Sequence, residues 1–299
     1  MNICLAVDIG GTKIAAALVD SATNHIVDRH QIVTPKSQQP AVFSAALASL
    51  LTPFIAQADF VAIASTGIIN NGILTALNPA NLGGLNRFEL VDEIQQITKL
   101  PTYAMNDAQA AAWYEFISLT PNNNNTHNML FITISTGIGG GLVLNQQLQT
   151  GARGISGHIG HTVVDANGPV CGCGRQGCIE KVASGTAIGE LGSALFKRPC
   201  TGQEVYQLAF EGNSEALNII HSSAAAVAEL IANLTITLDL DTVVIGGSVG
   251  LAPHYCDYIQ QYLNEKPEFY RPCIIPAKSG GDAGLLGAAH WFARQESHT

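Results

Sequence analysis

The chain has 299 residues, with 14 Lys+Arg against 23 Asp+Glu and a formal charge of −9. That balance argues against a nucleic-acid clamp, which needs cationic surface to displace counterions from phosphates. Hydrophobic residues make up 47% and charged ones 12%, about half the charged share of roughly 25% usual for soluble domains. A large core is therefore available, and the length suggests two domains. No stretch approaches the ~18 uninterrupted apolar residues of a membrane-spanning helix. The opening MNICLAVDIGG lacks a basic leader and carries Asp8 inside its short apolar run, so a cytoplasmic protein is expected.

The segment ICLAVDIGGTKIAAALVD (3–20) is two apolar runs around Gly-Gly, which predicts a β-hairpin. It contains neither GxxxxGK[ST] nor GxGxxG, the two commonest phosphate-binding fingerprints. A helix is predicted near 41–56, a strand at Phe60–Ala64 and an amphipathic helix near 88–98 built on Leu90, Val91, Ile94 and Ile97. PTYAMNDAQAAAWYEF (101–116) reads as a strand breaking into a helix at Asp107. The polar tract PNNNNTHN (121–128) marks a loop, because asparagine favours turns. It divides the chain into an N-terminal lobe, 1–120, and a C-terminal lobe, 121–299. FITISTGIGGGLVLNQQLQTG (131–151) repeats the first hairpin, as in an internal duplication. A long core helix at 213–238, a buried strand in TVVIGGSVG (242–250) that stops at its glycines, a strand at CIIPAK (273–278), and a closing helix at 282–295 follow. That last helix is expected to pack back on the N-terminal lobe. Alternating strands and helices predict an α/β fold with mixed sheets.

In the run Asp8-Ile9-Gly10-Gly11-Thr12-Lys13, the glycines leave backbone N–H groups open to an anion and Thr12 adds a hydroxyl. Asp8 could hold Mg²⁺, usually through water. A type I′ hairpin turn would use Gly-Gly with no ligand at all. Repetition of the pattern as Ser135-Thr136-Gly137-Ile138-Gly139-Gly140-Gly141 favours the ligand reading: two such turns suit a nucleoside triphosphate held from two domains. Asp107 is either a helix N-cap or a base that takes a proton from a hydroxyl attacking phosphorus. The densest signal is Gly157-His158-Ile159-Gly160-His161 followed by Cys171, Cys173 and Cys178. One histidine and three cysteines make the closed four-ligand set of structural zinc, and spacing leaves open which histidine binds. The other four cysteines read as small apolar fillers. Glu180, just beyond the last of the cluster, is either a sugar-binding carboxylate on a stiff support or a solvated surface residue. Gly246-Gly247-Ser248 ends a strand, either at a nucleoside-facing crevice or at a close helix contact.

DIGGTK, NDAQAAA, STGIGGG, CGCGRQGCIE and GLLGAA, in the family's order over essentially the whole chain, resemble the ROK family of sugar kinases and sugar-responsive repressors. The resemblance implies an actin-like (hexokinase-like) ATPase fold, two lobes with mixed sheets and an interlobe cleft for ATP. LNPANLGG (77–84), NDAQAAAW (106–113) and GHIGHT (157–162) are most similar to the bacterial N-acetylmannosamine kinases of that family. It further implies that Asp107 is the base for the sugar 6-hydroxyl, with Gly67, Asn81, Asn106, His158, His161 and Glu180 lining the sugar pocket. His161 would join Cys171, Cys173 and Cys178 at zinc. Asp8, Gly10, Gly11, Thr12, Lys13, Thr136, Gly137 and Gly139 would hold the phosphates of MgATP, and Gly246 and Gly247 would approach the nucleoside. Many members carry Glu where this chain has His158. An imidazole both donates and accepts a hydrogen bond, whereas a carboxylate only accepts, which weakens a glucokinase reading.

The expected activity is transfer of a phosphoryl group from ATP to N-acetylmannosamine in amino-sugar and sialic acid breakdown, by a homodimer. The alternatives are a glucose or N-acetylglucosamine kinase, a sugar-sensing regulator, and a kinase drawing on polyphosphate.

Overall fold

The computed structural model describes residues 3–37, 39–76, 82, 85–119 and 126–296. In chain order the elements are β1 (Ile3–Ile9), β2 (Lys13–Asp20), β3 (His25–Val33), α1 (Pro40–Leu51), β4 (Phe60–Ser65), β5 (Ile68–Asn70), β6 (Ile73–Thr75), β7 (Phe88–Glu89), α2 (Leu90–Thr98), β8 (Thr102–Asn106) and α3 (Asp107–Leu119). There follow β9 (Met129–Ile134), β10 (Ile138–Leu144), β11 (Gln147–Leu148), α4 (Ile179–Ala183), α5 (Gly185–Phe196), α6 (Gly202–Phe210) and α7 (Ser214–Leu238). The chain closes with β12 (Thr242–Gly246), α8 (Gly247–Gly250), α9 (Tyr255–Asn264), β13 (Cys273–Pro276) and α10 (Ala283–Glu296).

Two compact units result, one of Met1–Ser118, Leu148–Ser156 and Ser279–Thr299, the other of Leu119–Gln147 and Gly157–Lys278. Their sheets repeat one topology, β3-β2-β1-β4-β8 in the first unit and β11-β10-β9-β12-β13 in the second. In each, a glycine hairpin pairs antiparallel and its first strand continues into parallel neighbours. The two hairpins in the sequence thus mark a real duplication. The three-stranded sheet β5-β6-β7 has no counterpart among the described residues of the second unit.

The composition of β1 and β4 explains how the first sheet is covered. Leu5, Val7, Ile9, Val61 and Ile63 point to one face and join Phe43, Leu47 and Leu51 of α1 in a buried cluster. The alternate positions, Ala6, Asp8, Ala62 and Ala64, are small or polar and lie on the face against which α10 packs. Only short side chains let a helix approach a sheet that closely. Gly287 continues the theme, since a Cβ there would collide with the Ala110 carbonyl of α3. The GLLGAA motif is thereby a packing motif.

The second core gathers Leu130, Ile132 and Ile134 of β9 with Ile220, Val227 and Ile231 of α7. Two helical stretches, Pro40–Gln57 and Ser214–Leu238, are long and apolar enough to cross a membrane by composition. More than half of the second is buried inside its unit, and the apolar face of α1 lies on its sheet.

Candidate functional site

Parallel strands leave their carboxyl ends as the natural place for ligands, and the sequence-predicted residues of the first unit collect there. In register, Ile9 pairs with Ser65 and Ser65 with Asn106. The ends of β1, β4 and β8 therefore bring Asp8, the Ser65-Thr66-Gly67 turn and Asn106-Asp107 together. Gly67 has φ +93°, and a Cβ there would sit 2.8 Å from the Thr75 carbonyl oxygen, so the turn requires glycine. Asn81 lies outside the described residues, as do most of 77–84 and of the asparagine tract.

At the start of α3 the capping acceptor is the neighbour of Asp107. Asn106 Oδ1 accepts the N–H groups of Ala108 at 3.0 Å and Gln109 at 3.2 Å, so Asn106 is the residue that caps α3. Its Nδ2 donates to the Gly67 carbonyl at 3.0 Å and to Asp107 Oδ1 at 2.9 Å. The Asn106 amide is thus committed inside the protein and orients the next carboxylate. Asp107 Oδ1 also accepts the Ala108 N–H at 2.8 Å, while no hydrogen bond within the described residues engages Oδ2. Burial raises the Asp107 carboxyl above the ordinary carboxylate range, against the lowering by these hydrogen bonds. A carboxylate held by one oxygen and made more basic by its surroundings is suited to accept a proton.

Asp8 lies in the same electrostatic neighbourhood. Burial first, then the charge of Asp107, push its carboxyl up to about 7, against partial relief from Lys13. A cation bound there would offset both effects, and that donor chemistry fits Mg²⁺. In the turn itself Gly10 N–H donates to the Lys13 carbonyl at 3.0 Å, and Thr34 binds the Gly10 and Thr12 carbonyls. Neither Gly10 nor Gly11 has a positive φ, which excludes the type I′ turn. The glycines are there for openness rather than for a left-handed backbone.

The corresponding turn of the second unit is held more fully. Ser135 N–H donates to the Gly137 carbonyl at 2.9 Å, Gly185 N–H to the Ser135 carbonyl at 2.7 Å, and the Thr186 hydroxyl to the Thr136 carbonyl at 2.8 Å. The N–H groups of Thr136 and Gly137 donate to no protein group among the described residues. This turn opens on a cavity of about 1110 Å³ whose walls include Ser135, Thr136, Thr186, Tyr206, Ser248 and Val249. Gly246 and Gly247 pack inward: Gly246 lies on the Phe131 ring, and a Cβ on Gly247 would strike the Ile134 carbonyl. The wall next to them begins at Ser248. Cys200, read from sequence as a filler, also lines the cavity. Gly185, Thr186 and Tyr206 carry no chemical motif, so sequence reasoning passed over them.

His161, Cys171, Cys173 and Cys178 place their four ligand atoms within 4.8 Å of one another. Tetrahedral zinc bonds of about 2.3 Å to sulfur and about 2.05 Å to nitrogen demand edges of about 3.8 Å between sulfurs and about 3.6 Å from sulfur to nitrogen. The Cys173 Sγ–Cys178 Sγ distance is 3.7 Å and Cys171 Sγ–His161 Nδ1 is 3.6 Å. The cluster therefore fits zinc, and it includes His161 rather than His158. Gly177 turns the chain at φ +73°, against the Asp165 carbonyl, where no other side chain fits. The Ile159–His161 turn in turn lies on the phosphate hairpin: a Cβ on Gly160 would strike the Ile138 carbonyl, and one on Gly157 would sit 2.9 Å from the Gly140 carbonyl oxygen. Glu180 is the second residue of the sequence Ile179–Ala183 that forms α4, and its Oε2 accepts the Ile138 N–H at 3.2 Å.

Comparison with known proteins places these features. Residues 4–295 match the model of the ROK family. The chain is 51% identical over 288 residues to an N-acetylmannosamine kinase of Haemophilus influenzae, covering 96% of this chain and 94% of that one. Among solved structures, a ROK hexokinase from Thermus thermophilus aligns with TM-score 0.83 at 28% identity over 98% of this chain and 99% of the other. A ROK glucokinase from Streptomyces griseus, in complex with glucose and AMPPNP, aligns with TM-score 0.79 at 27% identity over 98% and 100%.

Proposed function

The chain belongs to the ROK family, and from that premise we propose that it is an N-acetylmannosamine kinase, moving the γ-phosphoryl group of ATP to the sugar 6-hydroxyl. The identity of about half of all positions with N-acetylmannosamine kinases along nearly the full length carries this reading. In the reaction the sugar oxygen forms a bond to the γ-phosphorus, the bond from that phosphorus to the bridging oxygen breaks, and ADP departs with the bonding pair. Asp107 takes the hydroxyl proton at Oδ2 while Asn106 and the Ala108 N–H hold Oδ1 in place. Little covalent help is required, so alignment and charge stabilisation supply most of the acceleration.

In this reading Thr136 and Gly137 offer their open N–H groups to phosphate oxygens, as do the Gly10–Lys13 residues of the first hairpin. The large cavity takes the nucleoside, with Tyr206 and Val249 giving it apolar contact. His158, Glu180 and Gly67 contact the sugar hydroxyls, and Asn106 acts by orienting Asp107. Asp8 would hold Mg²⁺ through water. Bound Mg²⁺ supplies charge neutralisation on the phosphates, and zinc at His161, Cys171, Cys173 and Cys178 serves structure alone. The protein is taken to be a cytoplasmic homodimer.

A coupled assay of ADP release decides the proposal. N-acetylmannosamine with ATP is expected to give the highest kcat/KM of a panel with glucose, N-acetylglucosamine and mannose. Preference for glucose or N-acetylglucosamine assigns the enzyme to those substrates instead, and sugar binding without turnover would make it a sensor.

A further inference from the structure

The Glu180 carboxylate has a second neighbour besides the sugar proposed for it. Its Oε2 accepts the N–H of Ile138, the residue that closes the phosphate turn. A Cβ built on Gly137 would lie 2.5 Å from that same oxygen, so the carboxylate rests directly on the turn. The support on both sides is stiff. Glu180 follows Cys178 of the four-ligand cluster by two residues, and the Gly185 and Thr186 N–H groups immediately after its helix hold the Ser135 and Thr136 carbonyls. A negative charge therefore sits beside two open N–H groups that are suited to an anion, and the surroundings do not let it swing far away.

We propose that Glu180 is a positioning residue through which sugar and nucleotide sense each other. The inference rests on the sugar kinase reading. In the sugar-free protein the carboxylate competes electrostatically with a triphosphate for the turn. A sugar hydroxyl that donates to the carboxylate disperses its charge and loosens its hold on Ile138, so nucleotide binds more tightly once sugar is present. Linkage makes the effect mutual: nucleotide raises sugar affinity by the same factor. The arrangement also disfavours loss of ATP to water when no sugar is bound.

The test measures the Kd of Mg·AMPPNP by calorimetry, with and without N-acetylmannosamine, for the wild type, Glu180→Gln and Glu180→Asp. Glutamine keeps the shape and an acceptor oxygen for Ile138 but removes the charge. Aspartate keeps the charge but withdraws it from the turn's N–H. Sugar is expected to tighten nucleotide binding to the wild type about fivefold or more, the lower range of site-to-site coupling. Glu180→Gln is expected to bind nucleotide more tightly than the wild type without sugar, with the coupling factor falling towards one, and Glu180→Asp to stay near the wild-type sugar-free value. A merely structural glutamate would leave the sugar-free nucleotide affinity unchanged in Glu180→Gln, because the amide oxygen still accepts the Ile138 N–H. Equal sugar-free affinities in the wild type and Glu180→Gln, or coupling that survives in Glu180→Gln, overturn the proposal. A wild type that phosphorylates no sugar overturns the kinase reading instead, while the sugar-free comparison still stands.

Discussion

The carboxyl of Asp8 should make the stability of the ligand-free protein depend on pH in a way that one substitution removes. Moving a carboxyl from 3.8 to about 7 corresponds to ~4 kcal/mol at ~1.36 kcal/mol per pH unit. The sign follows from linkage: the folded state holds the proton more tightly, so this contribution is fully present below about pH 4 and is lost as pH climbs through 7. Between pH 5 and 8 the loss is at most ~3 kcal/mol, and partial exposure of the side chain reduces it to about 1–2 kcal/mol. Asp8→Asn keeps the shape without the proton. Its Tm should exceed that of the wild type by roughly 2–6 °C at pH 8, and the gap should narrow steadily towards pH 5. Saturating MgATP should drive the proton off, releasing about half a proton or more at pH 6.5 in calorimetry across buffers of different ionisation enthalpy, with no such release in Asp8→Asn. Melting curves of the two proteins that stay parallel from pH 5 to 8 would refute the assignment of this carboxyl as a strained anion.

Asp107→Asn, whose amide oxygen still accepts the Ala108 N–H, should keep sugar affinity within a few-fold while kcat falls by about two orders of magnitude or more; near-normal turnover removes Asp107 from the chemistry. Because its carboxyl is raised by burial and must be ionised to act, wild-type kcat/KM should fall off on the acid side at a pH above the ordinary carboxylate range. Cys171→Ser should lose metal and thermal stability together, and metal analysis of the wild type should find about one zinc per chain. Gly287→Ala should cost about 1–3 kcal/mol in a denaturant melt, since its Cβ meets the Ala110 backbone and neither helix can yield alone.

Much of this was legible in the sequence because its signals are local. The two hairpins, the long helix at Ser214–Leu238 and the strand-to-helix break at Asn106-Asp107 announce themselves by apolar runs and their interruptions. β3 was not, because His25–Val33 is an exposed edge strand full of polar residues and shows no buried alternation. β5, β6 and β7 are two or three residues long, below the length at which a period can be seen. At the site, ligand types were readable and partners were not. Asn106 carries the same signature whether it faces a sugar or caps a helix, and only the positions of Ala108, Gln109 and Gly67 decide what its amide does. Gly246 and Gly247 likewise look alike in a crevice or in a tight contact, and the Ile134 carbonyl makes the difference.

The His161, Cys171, Cys173 and Cys178 cluster makes the same point about why motifs so far apart in the chain occur together. His161 ends the turn that lies on the Ile138–Gly141 strand, and Cys178 begins the helix that carries Glu180 back to Ile138. An ion held by both would therefore tie two separate supports of one hairpin to a single point. Loss of the metal should loosen the phosphate turn from both sides even though no ligand atom touches it. Gly137, Gly140, Gly157 and Gly160 are the cost of that closeness, because each gives up its side chain so that the two layers can meet. Glycines and cysteines in this region are one constraint written in two residue types: the first lets the backbones approach, and the second keeps them there.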